Sequence, residues 1–115
     1  MAILLIVLAN VILLVTGQLL WKVALSRHPL KSVHDLIPIF LQPSMLVGCF
    51  LFAAATLIWF YALSKYDLSR VYPLQSMAYV MGAISGILFF RETMSGGQWI
   101  GLLLIVGGAF LIARS

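Results

Sequence analysis

Residues 65–90 read KYDLSRVYPLQSMAYVMGAISGILFF. A short charged turn is followed by twenty residues, Val71 to Phe90, with no ionisable side chain other than tyrosine hydroxyls. That is about the length a helix needs to cross a hydrocarbon core roughly 30 Å thick. On a helical wheel Tyr72, Gln75, Ser76, Tyr79, Ala83 and Gly86 fall within an arc of about 100°, and Leu74, Met81 and Leu88 lie outside it. An amide and two phenols aimed the same way in hydrocarbon need partners. This face either packs against a neighbouring helix through small and hydroxyl residues or lines a polar cavity.

The rest of the chain agrees with a membrane reading. Of 115 residues 63% are hydrophobic and 9% charged, with a mean hydropathy of +1.14, leaving too little polar surface to cover a water-soluble fold. A net charge of +4 comes from seven Lys and Arg against three acids. The basic residues mostly flank apolar runs, as membrane-edge anchors or contacts to anionic lipid, which argues against nucleic acid as a partner. The single cysteine, Cys49, lies inside an apolar run and reads as a small packing residue.

Four spans are expected, in one domain covering residues 1–115. The first runs from about residue 2 to 25. Its apolar stretch is too long for a signal-peptide core, and it has neither a basic start nor a cleavage pattern, so it is expected to stay. Asn10, Leu14, Gly17 and Trp21 form one stripe on it, with Gln18 and Lys22 on the flank. Gly17 permits close backbone approach, and Lys22 is placed either to snorkel to headgroups or to reach an anionic group at a cavity mouth. Prolines 29, 38 and 43 interrupt residues 26–43, whose apolar members recur at helical spacing as in an interfacial amphipathic segment. His28 and His34 match no zinc spacing.

The second span, residues 44–63, carries Trp59 and Tyr61 near its end, where an aromatic belt is expected. Asp67 is placed to cap the third span, residues 71–90. Ser95, Gly96 and Gly97 mark the turn before the fourth, residues 95–113. There Gly101 and Gly108 share a face, making that helix the candidate subunit interface. Loops one and three hold Lys22, Arg27, Lys31 and Arg91, and the opposite side holds Lys65, Arg70 and Arg114. Such near balance does not fix an orientation. Four helices enclose little alone, so a pair of subunits, opposite insertion included, would supply two half-sites around a central cavity.

The segment from Tyr61 to Ala113 resembles the closing half of a drug/metabolite transporter repeat: a short turn, a tyrosine early in the third helix, a glutamate after it and a glycine-rich last helix. The whole chain is similar to the small multidrug resistance-like (EamA-like) four-helix branch. VTGQLLWK at Val15–Lys22 and VYPLQS at Val71–Ser76 look more like the small subunits that flip aminoarabinose-phosphoundecaprenol. The resemblance implies an all-α, four-transmembrane-helix integral membrane protein of small multidrug resistance type, in the bacterial cytoplasmic (inner) membrane. It further implies a homodimer, or a heterodimer with a similar four-helix subunit.

By the same resemblance Tyr72 stands where the multidrug family has a substrate-touching tyrosine, and Gln75 where it has a cavity tryptophan. Leu14 stands where that family has its proton-exchanging glutamate. The three acids, Asp35, Asp67 and Glu92, lie in loops or at helix ends, so no buried carboxylate offers itself for exchanging a proton against a lipophilic cation. Neutral and positive groups remain, and they suit a phosphate or sugar hydroxyls. The expected substrate-binding set is Asn10, Gln18, Lys22, Arg70, Tyr72, Gln75 and Tyr79, and the expected substrate is a lipid-linked sugar or other anionic lipid. A small multidrug or metabolite exporter, or a non-transporting partner of a glycosyltransferase, are the alternatives. No nucleophile with a neighbouring base, metal cluster or phosphate loop points to an enzyme or a cofactor.

Overall fold

The computed structural model describes residues 2 to 114. Among them there is no strand, and four helices are long and apolar enough to cross a membrane. The elements are α1 (Ala2–Arg27), α2 (Leu36–Leu41) after a 3-10 turn at Val33–Asp35, α3 (Pro43–Lys65), α4 (Leu68–Leu74), α5 (Met77–Phe90) and α6 (Gly96–Arg114). The chain is a multi-pass membrane protein. Its first, second and fourth spans differ from the sequence expectation by at most two residues at either end. Pro43 opens α3 without loss, because the first amides of a helix have no internal partner.

The third span departs from the expected single helix over 71–90. It begins at Leu68 and is broken at Gln75 and Ser76 into α4 and α5. Pro73 is the cause, since it has no N–H to offer Ser69 and its ring crowds that carbonyl. Past it the amides take shorter reaches: Ser76 donates to the Pro73 carbonyl at 3.1 Å, Ala78 to Gln75 and Tyr79 to Ser76, both at 2.9 Å. At about 21 Å for its 14 residues α5 alone is too short to cross, so α4 and α5 span together. Asp67 does stand at the cap position, but its carboxylate makes no capping bond. Its carbonyl instead receives the Arg70 and Val71 amides, each at 3.0 Å. At the start of α6 the reciprocal cap is present: Ser95 N–H donates to Gln98 Oε1 at 2.7 Å, and Gln98 N–H to Ser95 Oγ at 3.3 Å.

The first span is the hub. Ile3, Val7, Val11 and Val15, spaced one turn apart, are buried with Val71 and Leu74 of α4 and Ala62 of α3. A different face of α1 meets α3 backbone to backbone. A Cβ on Gly17 would lie 2.9 Å from the Gly48 carbonyl oxygen, and one on Gly48 would lie 2.6 Å from the Trp21 ring. Trp21 stacks on Phe52, with ring centroids 5.1 Å apart. The buried share falls from 33% in the first span to 6% in the last, so α6 lies at the edge, against α4 and α5. The molecule is a slab of 47 × 37 × 21 Å, about two helix diameters thick.

The segment expected to be interfacial is only partly so. Ile37, Phe40 and Leu41 are exposed, whereas Ile39 is buried against Ala24 and Met45, and Gln42 Nε2 donates to the Ala24 carbonyl at 3.0 Å. Asp35 ties the preceding turn. Its Oδ2 accepts the Lys31 and Ser32 amides at 2.8 and 3.0 Å, and Oδ1 lies 3.5 Å from His28 Nε2. These amide bonds, the Lys31 one foremost, hold its carboxyl below the ordinary carboxylate value, with His28 adding to them. A depressed carboxyl stabilises the turn above its unfolded value and loses that contribution as pH falls through the folded one. Protection of the Lys31 and Ser32 amides, their exchange slowed relative to an unprotected amide at the same pH, should therefore be present at neutral pH and be lost on acidification through that range. In Asp35→Ala it should be lost at every pH.

Candidate functional site

The break at Pro73 sets Gln75 against α1. Gln75 Nε2 donates to Asn10 Oδ1 at 2.9 Å, and Asn10 Nδ2 donates to the Ala55 carbonyl at 2.7 Å. One buried amide thus ties three spans together, with Asn10 only 1% exposed. Its bonds are spent on the bundle, as buried polar groups in a protein interior require.

Beyond this tie a groove runs between α1 and the third span. Its wider part, about 260 Å³, is lined by Leu14 and Gln18 of α1 and by Tyr72, Gln75, Ser76 and Tyr79. Gln18 also lines a narrower part of about 170 Å³, with Lys22, Gly82, Gly86 and Phe90. Hydroxyls and amides thus occupy one stretch and a cation the other. No acidic side chain lines the wider part among the described residues, and the narrower part ends at the Glu92 carboxylate, which pairs with Lys22 and lies over Gly86. The groove is open on one flank, where Tyr72 and Tyr79 are 61% and 68% exposed.

Of the seven expected site residues, Gln18, Lys22, Tyr72, Gln75 and Tyr79 line this groove. Asn10 supports it from behind through Gln75. Arg70 does not line it: it is exposed in the first turn of α4, at the opposite end of the bundle from Lys22. One phosphate therefore cannot be shared between Lys22 and Arg70.

Two further residues bear on the groove. Trp59, read from sequence as a membrane-belt residue, meets Tyr72 edge to face at 6.1 Å between centroids and so braces the phenol from α3. Glu92 pairs with Lys22, whose Nζ also lies 5.0 Å from the centroid of the Phe90 ring. Neither contact has a signal in the sequence, because each joins separate spans. Among the described residues nothing outside the nearby backbone of α6 lies within 4 Å of where a Cβ would stand on Gly101 or Gly108.

Comparison with known proteins agrees with this architecture. A family model described as the EamA-like transporter family matches residues 1–114. Over 45 residues the chain is 42% identical to an uncharacterized transporter in the cobO 3′ region of Sinorhizobium sp., an alignment covering 39% of this chain and 32% of that protein. The chain thus spans about a third of that relative's length. It is 28% identical over 119 positions to the probable 4-amino-4-deoxy-L-arabinose-phosphoundecaprenol flippase subunit ArnF of Proteus mirabilis, covering 92% of this chain and 87% of that one. No solved structure matches. A four-span bundle with a polar groove between its first and third spans, matched by the family model over nearly all of its length, belongs to the EamA-like transporter family of membrane transporters.

Proposed function

We propose that this chain is a flippase subunit that moves a polyprenyl-phosphate-linked sugar, or a related anionic lipid, across the bacterial cytoplasmic membrane without altering it chemically. The observation that carries the reading is the groove itself: neutral hydrogen-bonding groups from Gln18, Tyr72, Gln75 and Tyr79 lead to a cation, Lys22, with Leu14 rather than an acid at the centre. Sugar hydroxyls are satisfied by amides and phenols, and a phosphate by the ammonium. Among the described residues the carboxylate at this path, Glu92, is already paired with Lys22, so a lipophilic cation would find no unpaired counter-charge. The open flank lets the lipid tail stay in the bilayer while the headgroup passes. The name of the Proteus mirabilis relative supports a polyprenyl-phosphate-linked sugar.

The test is reconstitution in vesicles, alone and with any four-helix subunit that copurifies. Accelerated passage of a labelled polyprenyl-phosphate sugar over a matched phosphatidylcholine is expected. Equal acceleration of both lipids, or exchange of a lipophilic cation against protons, would contradict the reading.

The groove's open flank and the slab's thin section call for a second subunit, a copy of this chain or a similar one. The free glycine face of α6 suits that contact, because Gly101 and Gly108 let backbones approach. Gly108→Leu should shift the protein toward monomer in bilayer nanodiscs, counted by single-molecule photobleaching. An unchanged subunit count would move the interface elsewhere.

A further inference from the structure

The cation at the end of the groove is already occupied by a carboxylate of the chain's own. Arg91 closes α5 in the left-handed conformation, φ 55° and ψ 33°, which glycine takes freely and a residue with a Cβ does not. The Arg91 and Glu92 amides both return to the Gly86 carbonyl. The chain therefore doubles back over the last turn of α5 instead of leaving it. There the Glu92 carboxylate rests on Gly86, and a Cβ at that position would occupy the carboxylate's space. The same carboxylate takes the Lys22 ammonium, held beside Phe90.

An ordinary ion pair between long, half-exposed side chains needs none of this support and is worth little. Here a strained backbone at 91, a missing side chain at 86 and an aromatic ring at 90 converge on one pair. We infer that Glu92 is a tethered competitor, holding the place on Lys22 that a lipid's phosphate takes, and so determines which headgroups enter. Resting on the headgroup path proposed above, the inference adds a specificity-determining residue to it. A phosphate monoester such as undecaprenyl monophosphate, with up to about two charges and three acceptor oxygens, can displace a carboxylate that has one charge and two oxygens. The single phosphodiester charge of phosphatidylcholine is already balanced by its own choline, so that headgroup gains nothing from the exchange.

The apparent affinity of a site that is free only part of the time falls by that fraction, so a carboxylate bound about four-fifths of the time weakens a competitor about fivefold. The experiment titrates undecaprenyl monophosphate against the full chain in phosphatidylcholine nanodiscs. Glu92→Gln should tighten binding by about fivefold. Gly86→Ala should tighten it in the same direction by evicting the carboxylate with its charge intact, and it keeps the test decisive if Glu92→Gln does not fold. Adding Lys22→Ala should cancel both gains. Unchanged or weaker binding in Glu92→Gln and Gly86→Ala, while Lys22→Ala still weakens the parent, would overturn the competitor alone. Unchanged binding in Lys22→Ala of the parent chain would instead remove the anion seat, and the inference with it.

Discussion

Replacing Gly48 with leucine is expected to destabilise this bundle by about 3 kcal/mol, at the upper end of what overpacking costs. At Gly48 even a single carbon would stand 2.8 Å from the Gly17 carbonyl oxygen and 2.6 Å from the Trp21 ring. Both are fixed: one is helix backbone, and the other is a ring stacked on Phe52. Relief requires α1 and α3 to separate, which stretches the Asn10 bond to the Ala55 carbonyl as well. Unfolding in mixed micelles, followed by tryptophan fluorescence, should show the loss. Gly107→Leu, at a position where nothing lies within 4 Å among the described residues, should leave the monomer's midpoint close to the parent's. Equal loss in the two variants would mean that the α1–α3 crossing is not the tight contact in the bundle.

The second large effect is on binding. Lys22→Ala should weaken capture of undecaprenyl monophosphate by tenfold or more, since a hydrogen bond to a charged group is worth about 1.5 to 3 kcal/mol. Stability should barely change, because the ion pair with Glu92 is about half exposed on both sides and such pairs contribute about 0 to 1 kcal/mol. The two readouts separate a ligand role from a structural one. Loss of affinity at constant melting temperature marks Lys22 as an anion contact, whereas equal loss for every lipid together with a lowered melting temperature marks it as a support for the bundle. Gln75→Ala should behave in the second way as much as the first, since Gln75 both lines the groove and ties Asn10.

Much of the groove is legible in the sequence because helical periodicity alone groups its residues. Tyr72, Gln75 and Tyr79 share an arc, and Gln18 and Lys22 stand one turn apart, so each wall is read within one helix. What joins the walls is not legible. Asn10 is visible as a polar group in hydrocarbon, but its choice of Gln75 and Ala55 depends on the register between helices. Gly17 is visible as a close-approach site, while Gly48 becomes its partner only once α1 and α3 cross. The break in the third span is a different case. Pro73 stands in plain sight, and its missing N–H divides the span, while Asp67 at the cap position puts its start at Leu68. The return of Glu92 onto Gly86 is hidden because arginine, not glycine, takes the left-handed position that produces it.

The central claim is that the headgroup of an anionic lipid travels in the groove between the first and third spans. The most direct measurement is photocrosslinking with a polyprenyl phosphate that carries its reactive group at the headgroup, in a bilayer, with the labelled residues mapped by mass spectrometry. The account predicts adducts at Gln18, Tyr72, Gln75 and Tyr79, lost when unlabelled polyprenyl phosphate is added in excess. Adducts spread over the outer faces of α3 and α6, or groove labelling that excess lipid does not remove, would contradict it.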